Sequence, residues 1–466
     1  MCDVGIPEKH RGGVVVTDVA PPEVARNFAL LRVLRMVISA DSDPARQALF
    51  ASLLASRLSV RVAYRLHDRL RGTWGSALLV GGFGLASFLA IAPPRARGAR
   101  LLAVARHENA RRQVARVFSW IGPADCGLVG SGRGALFRLS TWAALGTFLR
   151  RGRLFQSLRI IRTLDSRHGF LVSCRASAAM AWYARSRAML QVDRPGAVLV
   201  SSDSNPEEVG FVGAARALRI PQVYVSHAYP TPLSPPLDFS LSILEGEAAV
   251  QARRRKGPIR GGVLLAGLEG DSAPLDPRRF ERPNPTIGLF TSKAISWPAL
   301  AEIVDDCRRR FQPRRIVIRW HPSMLERPRL TNVLADLSGI VESPGSASLA
   351  EVAQQCDWVI GDENSNLHLP VLKLGIPTVA IKHLGVYPDS HGDQYGFADS
   401  GIIFPPVASV RDIRAEALIA FFADGWRARF EQYDASYLRP HEAMGGEVRR
   451  AIGELFEPSL SAPMAG

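Results

Sequence analysis

Hydrophobic and polar positions alternate in blocks through the middle of the chain, and the blocks predict strands and helices in turn. Short runs rich in β-branched residues at 196–202, 220–226 and 239–244 have the length and composition of buried strands. Residues 203–218, between the first two runs, have the polar start and apolar spacing of a helix. A strand–helix–strand order predicts a parallel sheet with helices packed on its faces.

The same alternation restarts after a proline-rich segment at 273–286, which we interpret as a linker because proline cannot donate a hydrogen bond to a sheet. The strands predicted beyond it are residues 286–292, 314–320, 357–362 and 376–382. The predicted helices are residues 298–311, 346–356, 367–375 and the tail from 411 to 433. The pattern therefore predicts an α/β protein with two Rossmann-like domains that face each other across a cleft.

The position of the proline-rich segment also predicts the domain organisation. We expect a first domain at 1–272, a linker at 273–286, a second domain at 287–430, and a C-terminal helix and tail at 431–466. Ligands of open parallel sheets bind beyond the carboxyl ends of the strands. A cleft between two such domains is therefore the expected site.

One uncharged stretch, residues 75–92, departs from the alternating pattern. It just reaches the length of a membrane span, but four glycines and two serines weaken that interpretation. A helix lying on a membrane surface is the second alternative. We expect a buried strand followed by a helix, as in a Rossmann-type domain.

Charge is distributed unevenly along the chain. Residues 1–194 carry 30 basic and 11 acidic side chains, and the remainder carries 28 and 32. Such a surplus attracts polyanions, and we expect an anionic membrane surface or an acidic polymer as partner. Nucleic acid is not expected, because no nucleic-acid-binding motif accompanies the arginines. Five scattered cysteines and the lack of a secretion signal predict a cytoplasmic protein.

Polar side chains follow several predicted strands at the point where each strand ends. His321 and Arg319 end the strand at 314–320, and His227 follows the strand at 220–226. Further candidates at strand ends are Asp203, Ser292, Asp362, Glu363, Asn364, Ser365 and Asn366. We expect a helix to start at 364–366, where free backbone N–H groups and the helix dipole suit a phosphate.

These residue types suit group transfer from a nucleotide-activated donor. A base must take a proton from the acceptor hydroxyl, and positive groups must stabilise the departing pyrophosphate. His227 is the candidate base, and Asp203 is the second catalytic candidate. His321, Arg319 and the turn at 364–366 are the candidate phosphate ligands, so that neither a metal nor a cofactor is expected. A simple structural role, such as capping, is the alternative for each of these residues.

Three stretches resemble bacterial GT-B glycosyltransferases of surface-polymer synthesis, a group with capsule polymerases, polysialyltransferases and teichoic-acid glycerophosphotransferases. They are "VSHAYP" at 225–230, "IRWHP" at 318–322 and "GDENSNLHLPVLKLGIPTV" at 361–379, and the resemblance covers about residues 195–400. It implies an inverting transferase with the acceptor in the first domain, a nucleotide-sugar in the second, and association with the inner membrane. The acceptor would be a polysaccharide or a lipid-linked molecule. Ala228 stands where these relatives often have glycine, which puts the role of His227 in doubt.

Two other functions remain as alternatives. Residues 198–228 also resemble non-hydrolysing UDP-N-acetylglucosamine 2-epimerases, although those enzymes usually carry Gly-Asp-Thr where this chain has Ser202, Asp203 and Ser204. A non-catalytic binding protein on the same scaffold is the other alternative. Two acidic clusters are weaker metal candidates, and we interpret them as a helix cap (Asp41 and Asp43) and a loop (Asp389, His391 and Asp393).

Overall fold

The fold is built on two β-sheets, one of six strands and one of five. A computed structural model describes residues 58–92, 98–131, 153–230, 234–292, 295–322, 324, 330–334, 336–385, 393, 395–423 and 425–456. Both sheets are parallel wherever a pair of their strands is defined. The predicted α/β class, with two parallel sheets, is confirmed.

The elements of the first part of the chain follow one another in the predicted alternation after residue 196. In chain order they are α1 (Leu58–Leu70), α2 (Trp74–Ala90), β1 (Ile91–Ala92), β2 (Leu101–Val104), α3 (Glu108–Ile121), β3 (Cys126–Leu128), β4 (Gly130–Ser131), α4 (Arg153–His168), α5 (Phe170–Val192), β5 (Ala197–Val200), α6 (Pro206–Ala217), β6 (Gln222–Val225), β7 (Asp238–Leu244), α7 (Glu247–Arg254) and β8 (Arg260–Leu265). The strand order in the six-stranded sheet is β3-β2-β5-β6-β7-β8.

The second part contains the five-stranded sheet. Its four predicted strands and the first three predicted helices are confirmed, whereas β11 was not predicted and the predicted helical tail forms two separate helices. The elements are β9 (Thr286–Phe290), α8 (Trp297–Phe311), β10 (Arg315–Arg319), β11 (Ile340–Glu342), α9 (Leu349–Ala353), β12 (Trp358–Asp362), α10 (His368–Lys373), β13 (Thr378–Ile381), α11 (Ala415–Ala423), α12 (Trp426–Tyr433) and α13 (His441–Phe456). Residues Phe290, Val317, Val359 and Val371 belong to the buried core between this sheet and its helices.

The strand order of the five-stranded sheet is β11-β10-β9-β12-β13. The chain starts at the central strand β9, adds β10 and β11 on one side, and then crosses to add β12 and β13 on the other. A crevice opens at the carboxyl end of a parallel sheet where the chain changes direction in this way. The change lies between β9 and β12, and it defines where a ligand of this sheet is expected.

The uncharged stretch at 75–92 forms helix α2 as far as Ala90 and then the two-residue strand β1, and not the strand followed by a helix that we expected. Thr73 caps the helix by accepting hydrogen bonds from the N–H groups of Gly75 and Ser76. A side chain at Gly84 would overlap with Ser177 on α5, so this glycine permits close packing of two helices. The sequence analysis used the glycines only as evidence against a membrane span and did not foresee that one of them is required where the two helices touch. No helix in the described ranges has both the length and the apolar character that a membrane span needs.

The chain divides into two compact units. Unit 1 comprises the described residues within 1–106 and 124–222, and unit 2 comprises those within 107–123 and 223–466. In unit 1, a buried hydrogen bond of 2.5 Å joins His67 on α1 to Asp165 on α4. Burial raises and hydrogen bonds lower the pKa of Asp165, and the net effect is a lowered pKa.

The proline-rich segment predicted as a linker is packed against the five-stranded sheet of unit 2. The amide of Ala273 donates to the carbonyl of Lys373 at 2.9 Å, and the Phe280 ring lies 5.5 Å from the ring of Trp358. Lys373 is itself buried, and its ammonium group lies 3.0 Å from the Asp434 carboxylate. It also donates to the carbonyl of Leu268 at 2.8 Å, so one buried cation joins three separate segments of unit 2.

Candidate functional site

Three candidate segments of unit 2 lie at one edge of the five-stranded sheet. Ser292 follows β9, Arg319 and His321 are at the end of β10, and residues 362–366 follow β12. These strands are neighbours in the order β10-β9-β12, and neighbouring strands are about 5 Å apart. The strand order therefore gathers the donor-side candidates at the point where the chain changes direction.

The end of β10 is held by the residue that follows β9. The hydroxyl of Thr291 accepts a hydrogen bond from the backbone N–H of His321 at 3.1 Å, and the Thr291 N–H donates to the carbonyl of Arg319 at 3.0 Å. The carbonyl of His321 accepts from the amide of Met324 at 2.9 Å, which closes a turn at Pro322. The histidine that ends β10 is thus fixed on both sides by backbone hydrogen bonds.

Trp320, directly after β10, is anchored through its side chain. Its indole is buried and donates to the Glu342 carboxylate at 3.0 Å. Arg319 and His321 are both half-buried.

The turn after β12 differs in detail from the expectation. The helix begins at His368 and not at 364–366, and residues 363–367 form a turn before it. The amide of Ser365 donates to the carbonyl of Asp362 at 3.1 Å, and the amide of Leu367 donates to the Ser365 hydroxyl at 3.3 Å. These two N–H groups are therefore occupied, and α10 offers no free helix start at Ser365.

Side chains remain as the candidate ligands in this turn. Glu363, Asn364, Ser365 and Asn366 are all half-buried. The side-chain oxygen of Asn366 has no hydrogen-bond partner among the described residues. Asp362 is buried, and a side chain at Gly385, after β13, would overlap with its carboxylate. The turn is therefore polar, the backbone at Gly385 passes close to it, and at least one of its side-chain hydrogen-bond acceptors has no partner among the described residues.

His368 supports the same turn from below, and sequence reasoning gave it no role. It is fully buried, with Nε2 3.0 Å from the carbonyl of Asp362 and Nδ1 3.1 Å from the hydroxyl of Thr378. Burial lowers its pKa to about 4, so the imidazole is neutral at neutral pH. A carbonyl only accepts, so Nε2 carries the proton and Nδ1 accepts from Thr378.

His227 lies in a tightly held turn after β6, also in unit 2. The amide of Ser226 donates to the carbonyl of Ile243 at 2.9 Å, and its hydroxyl donates to the carbonyl of Ala228 at 3.0 Å. The Tyr229 ring stacks on the ring of Tyr433 with a centroid distance of 5.1 Å. His227 itself is half-buried, between two anchored neighbours.

Glu245, at the end of β7, is a second residue that the sequence did not single out. It is buried, and burial raises the pKa of its carboxyl group. Its Oε2 has no hydrogen-bond partner among the described residues. Its only sequence signal is a carboxylate directly after a strand of apolar residues.

Asp203 belongs to unit 1, where it follows β5 and is buried. The hydroxyl of Ser202 accepts from the amides of Ser204 and Asn205 at 3.3 and 3.2 Å, which shapes the turn into α6. Glu208, on the first turn of α6, is fully buried, and burial raises its pKa to about 8. One of its oxygens accepts from the Arg106 amide at 3.3 Å.

Of the weaker metal candidates, Asp41, Asp43, Asp389 and His391 lie outside the described residues. Asp393 is described, and its carboxylate accepts from the amides of Phe397, Ala398 and Asp399 at 2.7–3.0 Å. This residue therefore caps the turn at 396–400. Among the described residues, no group of three or more His, Cys, Asp or Glu side chains is arranged to hold a metal.

Comparison with known proteins gives structural similarities only. No protein-family profile matches the chain, and no curated protein matches it in sequence. The structure is similar to UDP-GlcNAc 2-epimerase from Neisseria meningitidis bound to UDP-GlcNAc, with 11% identity, a TM-score of 0.40, and coverage of 76% of this chain and 98% of that one.

Two transferases are similar to a comparable extent. A UDP-glucosyltransferase from Polygonum tinctorium has 11% identity, a TM-score of 0.42 and coverage of 77% of this chain and 98% of that one. MurG from Acinetobacter baumannii has 12% identity, a TM-score of 0.35 and coverage of 76% and 97%. The fold class therefore rests on the two parallel sheets of this chain and not on these alignments.

Proposed function

We propose that the chain is a metal-independent GT-B glycosyltransferase that transfers a sugar or a phosphate-linked group from a nucleotide-activated donor. The single observation that carries this proposal is the edge of the five-stranded sheet where the ends of β10, β9 and β12 adjoin. Residues with basic, hydroxyl and amide side chains follow these strands, at the position where parallel sheets bind ligands. These are the groups that bind and stabilise a diphosphate.

In this proposal the donor phosphates are bound by Arg319, His321 and the turn of Asn364, Ser365 and Asn366. Asp362, Glu363 and Ser292 line the donor side of the site. Two hydrogen bonds between side chain and backbone support the proposal: Thr291 holds the backbone of His321, and His368 holds the backbone of Asp362. Groups that are held in place before the reaction stabilise developing charge without reorganisation.

His227 is the proposed general base for the acceptor hydroxyl, with inversion at the transferred centre, and Asp203 is the second proposed catalytic residue. The turn that holds His227 supports this role, because Ser226 and Tyr229 fix the backbone on either side. A base acts on the acceptor and not on the donor. His227→Gln is therefore expected to lower kcat by about 10²–10⁴-fold with nucleotide affinity unchanged.

We propose a polysaccharide or lipid-linked acceptor, held by a cytoplasmic enzyme at the inner face of an anionic membrane. Exposed apolar side chains on α1 and α2 support this partner. They are Val62, Leu66, Trp74, Leu78, Phe83 and Leu85. Co-sedimentation with vesicles tests it: anionic vesicles are expected to retain the protein, zwitterionic vesicles to retain less, and Leu78→Glu to weaken retention.

Thermal unfolding against CMP, CDP, UDP and GDP tests the donor site, because a ligand of the native state raises the melting temperature. One nucleotide is expected to give a clear rise in the wild type and little rise in His321→Ala. His383→Ala, an exposed histidine after β13, is the matched control and should respond like the wild type. Failure of every nucleotide to shift the wild type would refute the donor site.

Product analysis separates transfer from isomerisation. The proposal predicts that nucleotide is released only when an acceptor is present. Conversion of UDP-N-acetylglucosamine to its 2-epimer without acceptor would instead establish the epimerase alternative. Binding without any turnover, unchanged in the His227 variant, would establish a non-catalytic binding protein.

A further inference from the structure

The six-stranded sheet has its own point where the chain changes direction, and this point lies in unit 1. The chain runs from β2 to β3 on one side and then returns, through α4 and α5, to add β5 on the other side of β2. Both pairs of strands are parallel. A crevice is therefore expected at the carboxyl ends of β2 and β5, which is a second position where a parallel sheet binds ligands.

The carboxyl group of Glu208 lies at this edge. Glu208 belongs to the first turn of α6, which follows β5, yet its Oε1 accepts a hydrogen bond from the N–H of Arg106, just beyond β2, at 3.3 Å. The carboxyl group thus joins the ends of the two strands. It is fully buried, and its Oε2 has no hydrogen-bond partner among the described residues. Buried polar atoms nearly always have a partner, so this oxygen marks where a polar atom of a ligand belongs.

The charges at this edge balance one another. The guanidinium of Arg106 lies 3.0 Å from the carboxylate of Glu207. Arg175, on α5, donates to the carbonyl of Ser204 at 3.0 Å, in the loop between β5 and α6. Against these two arginines stand three carboxyl groups, which are those of Asp203, Glu207 and Glu208. These residues therefore give an anion no surplus of positive charge, in contrast to the basic end of β10.

The loop after β5 adds hydroxyl and amide groups. Its sequence at 201–205 is Ser-Ser-Asp-Ser-Asn. The first two serines are buried, whereas Ser204 and Asn205 are half-buried and therefore reachable. Asn205 directly precedes α6, but its side chain makes no hydrogen bond that caps the helix. Hydroxyl, amide and carboxyl groups together suit the hydroxyl groups of a sugar, because they supply both donors and acceptors.

We propose that the edge formed by β2 and β5 binds an uncharged sugar unit, the end of the acceptor that receives the transferred group. This inference rests on the proposed function and names the chemical class of its acceptor. A sugar hydroxyl both donates and accepts, so it can pair with the unpartnered Oε2 of Glu208 and with the carboxylates of the edge. An ionised phosphate, uronic acid or sialic acid presents oxygens that only accept, and a carboxylate cannot donate to them. The acceptor is therefore neutral at its reactive end.

Ligand-observed NMR titration with matched methyl glycosides tests the proposal. The neutral probes are the methyl glycosides of glucose, galactose and mannose. The acidic probes are the corresponding uronic acid glycosides, each of which differs from its neutral partner by one carboxylate. We expect the wild type to bind at least one neutral probe at least about tenfold more tightly than its acidic partner. Equal or tighter binding of the acidic probes would overturn the proposal.

Two substitutions of Glu208 place the binding at this edge. Glu208→Leu removes the unpartnered oxygen and is expected to weaken binding of the neutral probe at least about tenfold. Glu208→Gln keeps a polar group there and should retain most of the affinity. Melting temperatures of both variants are recorded alongside. If Glu208 had only a structural role, the affinity would follow the melting temperature and not the polarity of the side chain.

A charge introduced at the rim tests the electrostatic part of the argument and does not disturb the buried carboxyl group. Asn205→Lys adds a positive charge at a reachable position and is expected to raise the affinity for the acidic probes at least about tenfold relative to the neutral ones. Gln191→Lys adds the same charge at an exposed position near the end of α5, before β5 begins, and should leave both affinities unchanged. An Asn205→Lys variant with the wild-type preference would contradict the proposed edge.

The possible outcomes separate this inference from the proposed function. If a group is transferred from a nucleotide-sugar but neither Glu208→Leu nor Asn205→Lys changes glycoside binding, the edge is not the acceptor site and the proposed function stands. If neutral glycosides bind through Glu208 but no nucleotide raises the melting temperature, the sugar site stands and the proposed function is wrong. If the wild type binds none of the glycosides, the inference is overturned, and the nucleotide screen decides the proposed function by itself.

Discussion

Protonation of His368 provides a sharp test of how the turn after β12 is built. Its imidazole is fully buried, and both ring nitrogens are within hydrogen-bonding distance of Asp362 or Thr378. The pKa in the folded state is about 4, against 6.5 for an ordinary histidine, with burial as the main cause. A charged imidazole would turn Nδ1 into a donor that faces a hydroxyl and would place a cation in the core.

The sign of the effect follows from the lowered pKa. The unfolded chain binds a proton at higher pH than the folded chain does, so acid favours unfolding. The contribution of His368 is complete above the unfolded pKa and is lost as the pH falls toward the folded pKa. With these two values, the free energy of unfolding drops by about 2 kcal/mol between pH 7 and pH 5.

Urea unfolding, followed by tryptophan fluorescence at several pH values, measures this drop. The comparison is between the wild type and His368→Gln, because other titrating groups contribute equally to both. The variant is expected to be less stable at pH 7 and to lack about 2 kcal/mol of the pH dependence. His383→Gln, at an exposed position, is the control. Equal pH dependence in wild type and His368→Gln would refute a buried neutral imidazole.

Three further predictions concern packing and charge away from this turn. A side chain at Gly210 would lie 2.5 Å from the carbonyl of Ala179. Gly210→Ala is therefore expected to lower the free energy of unfolding by about 1–3 kcal/mol in urea titrations. Gly82→Ala, with open space around it, is the control and should not lower it. Lys373→Met leaves the Asp434 carboxylate buried without its cation and should lower the free energy of unfolding by about 3–5 kcal/mol in the same titration. A simultaneous Asp434→Leu should recover much of this loss. A single variant as stable as the double variant would contradict the prediction. The Glu208 carboxyl has a pKa of about 8 in the folded chain against an ordinary 4.5, so the stability of the wild type falls as the pH rises between these values. Calorimetry should show that the stability of Glu208→Gln rises relative to the wild type by about 3 kcal/mol from pH 5 to pH 7.5. An unchanged difference would show that the carboxyl is not held neutral.

Local sequence alone was enough to predict most of the strands and helices from residue 196 to 382, although α7, β8 and β11 were not predicted. The β-branched runs that became β5, β9, β10 and β12 are short and bounded by polar residues. Such a run has one favourable backbone conformation, because its side chains restrict rotation and must be buried. The residues at the strand ends were identifiable for the same reason, since a polar side chain directly after a buried run is conspicuous.

The helix at α2 shows where this reasoning fails. Glycine inside an apolar stretch predicts a turn or a strand when only neighbours in sequence are considered. Gly84 instead lies against Ser177, almost a hundred residues later, where only a hydrogen in place of a side chain fits. The benefit of that close approach arises in the packed structure and has no local signal.

The convergence of the candidate residues was decided by tertiary structure. Local sequence predicts where each strand ends. Only the strand order β11-β10-β9-β12-β13 determines that the ends of β10 and β12 lie on either side of β9.

Burial likewise separated residues that look equivalent in the sequence. His321 and His368 are both histidines near strand ends, yet one is half-exposed and the other is neutral in the core. The sequence by itself thus determined which segments are strands and helices and which chemical groups end them. Pairing between distant segments determined which groups meet and which are desolvated, because both depend on neighbours that are far apart along the chain.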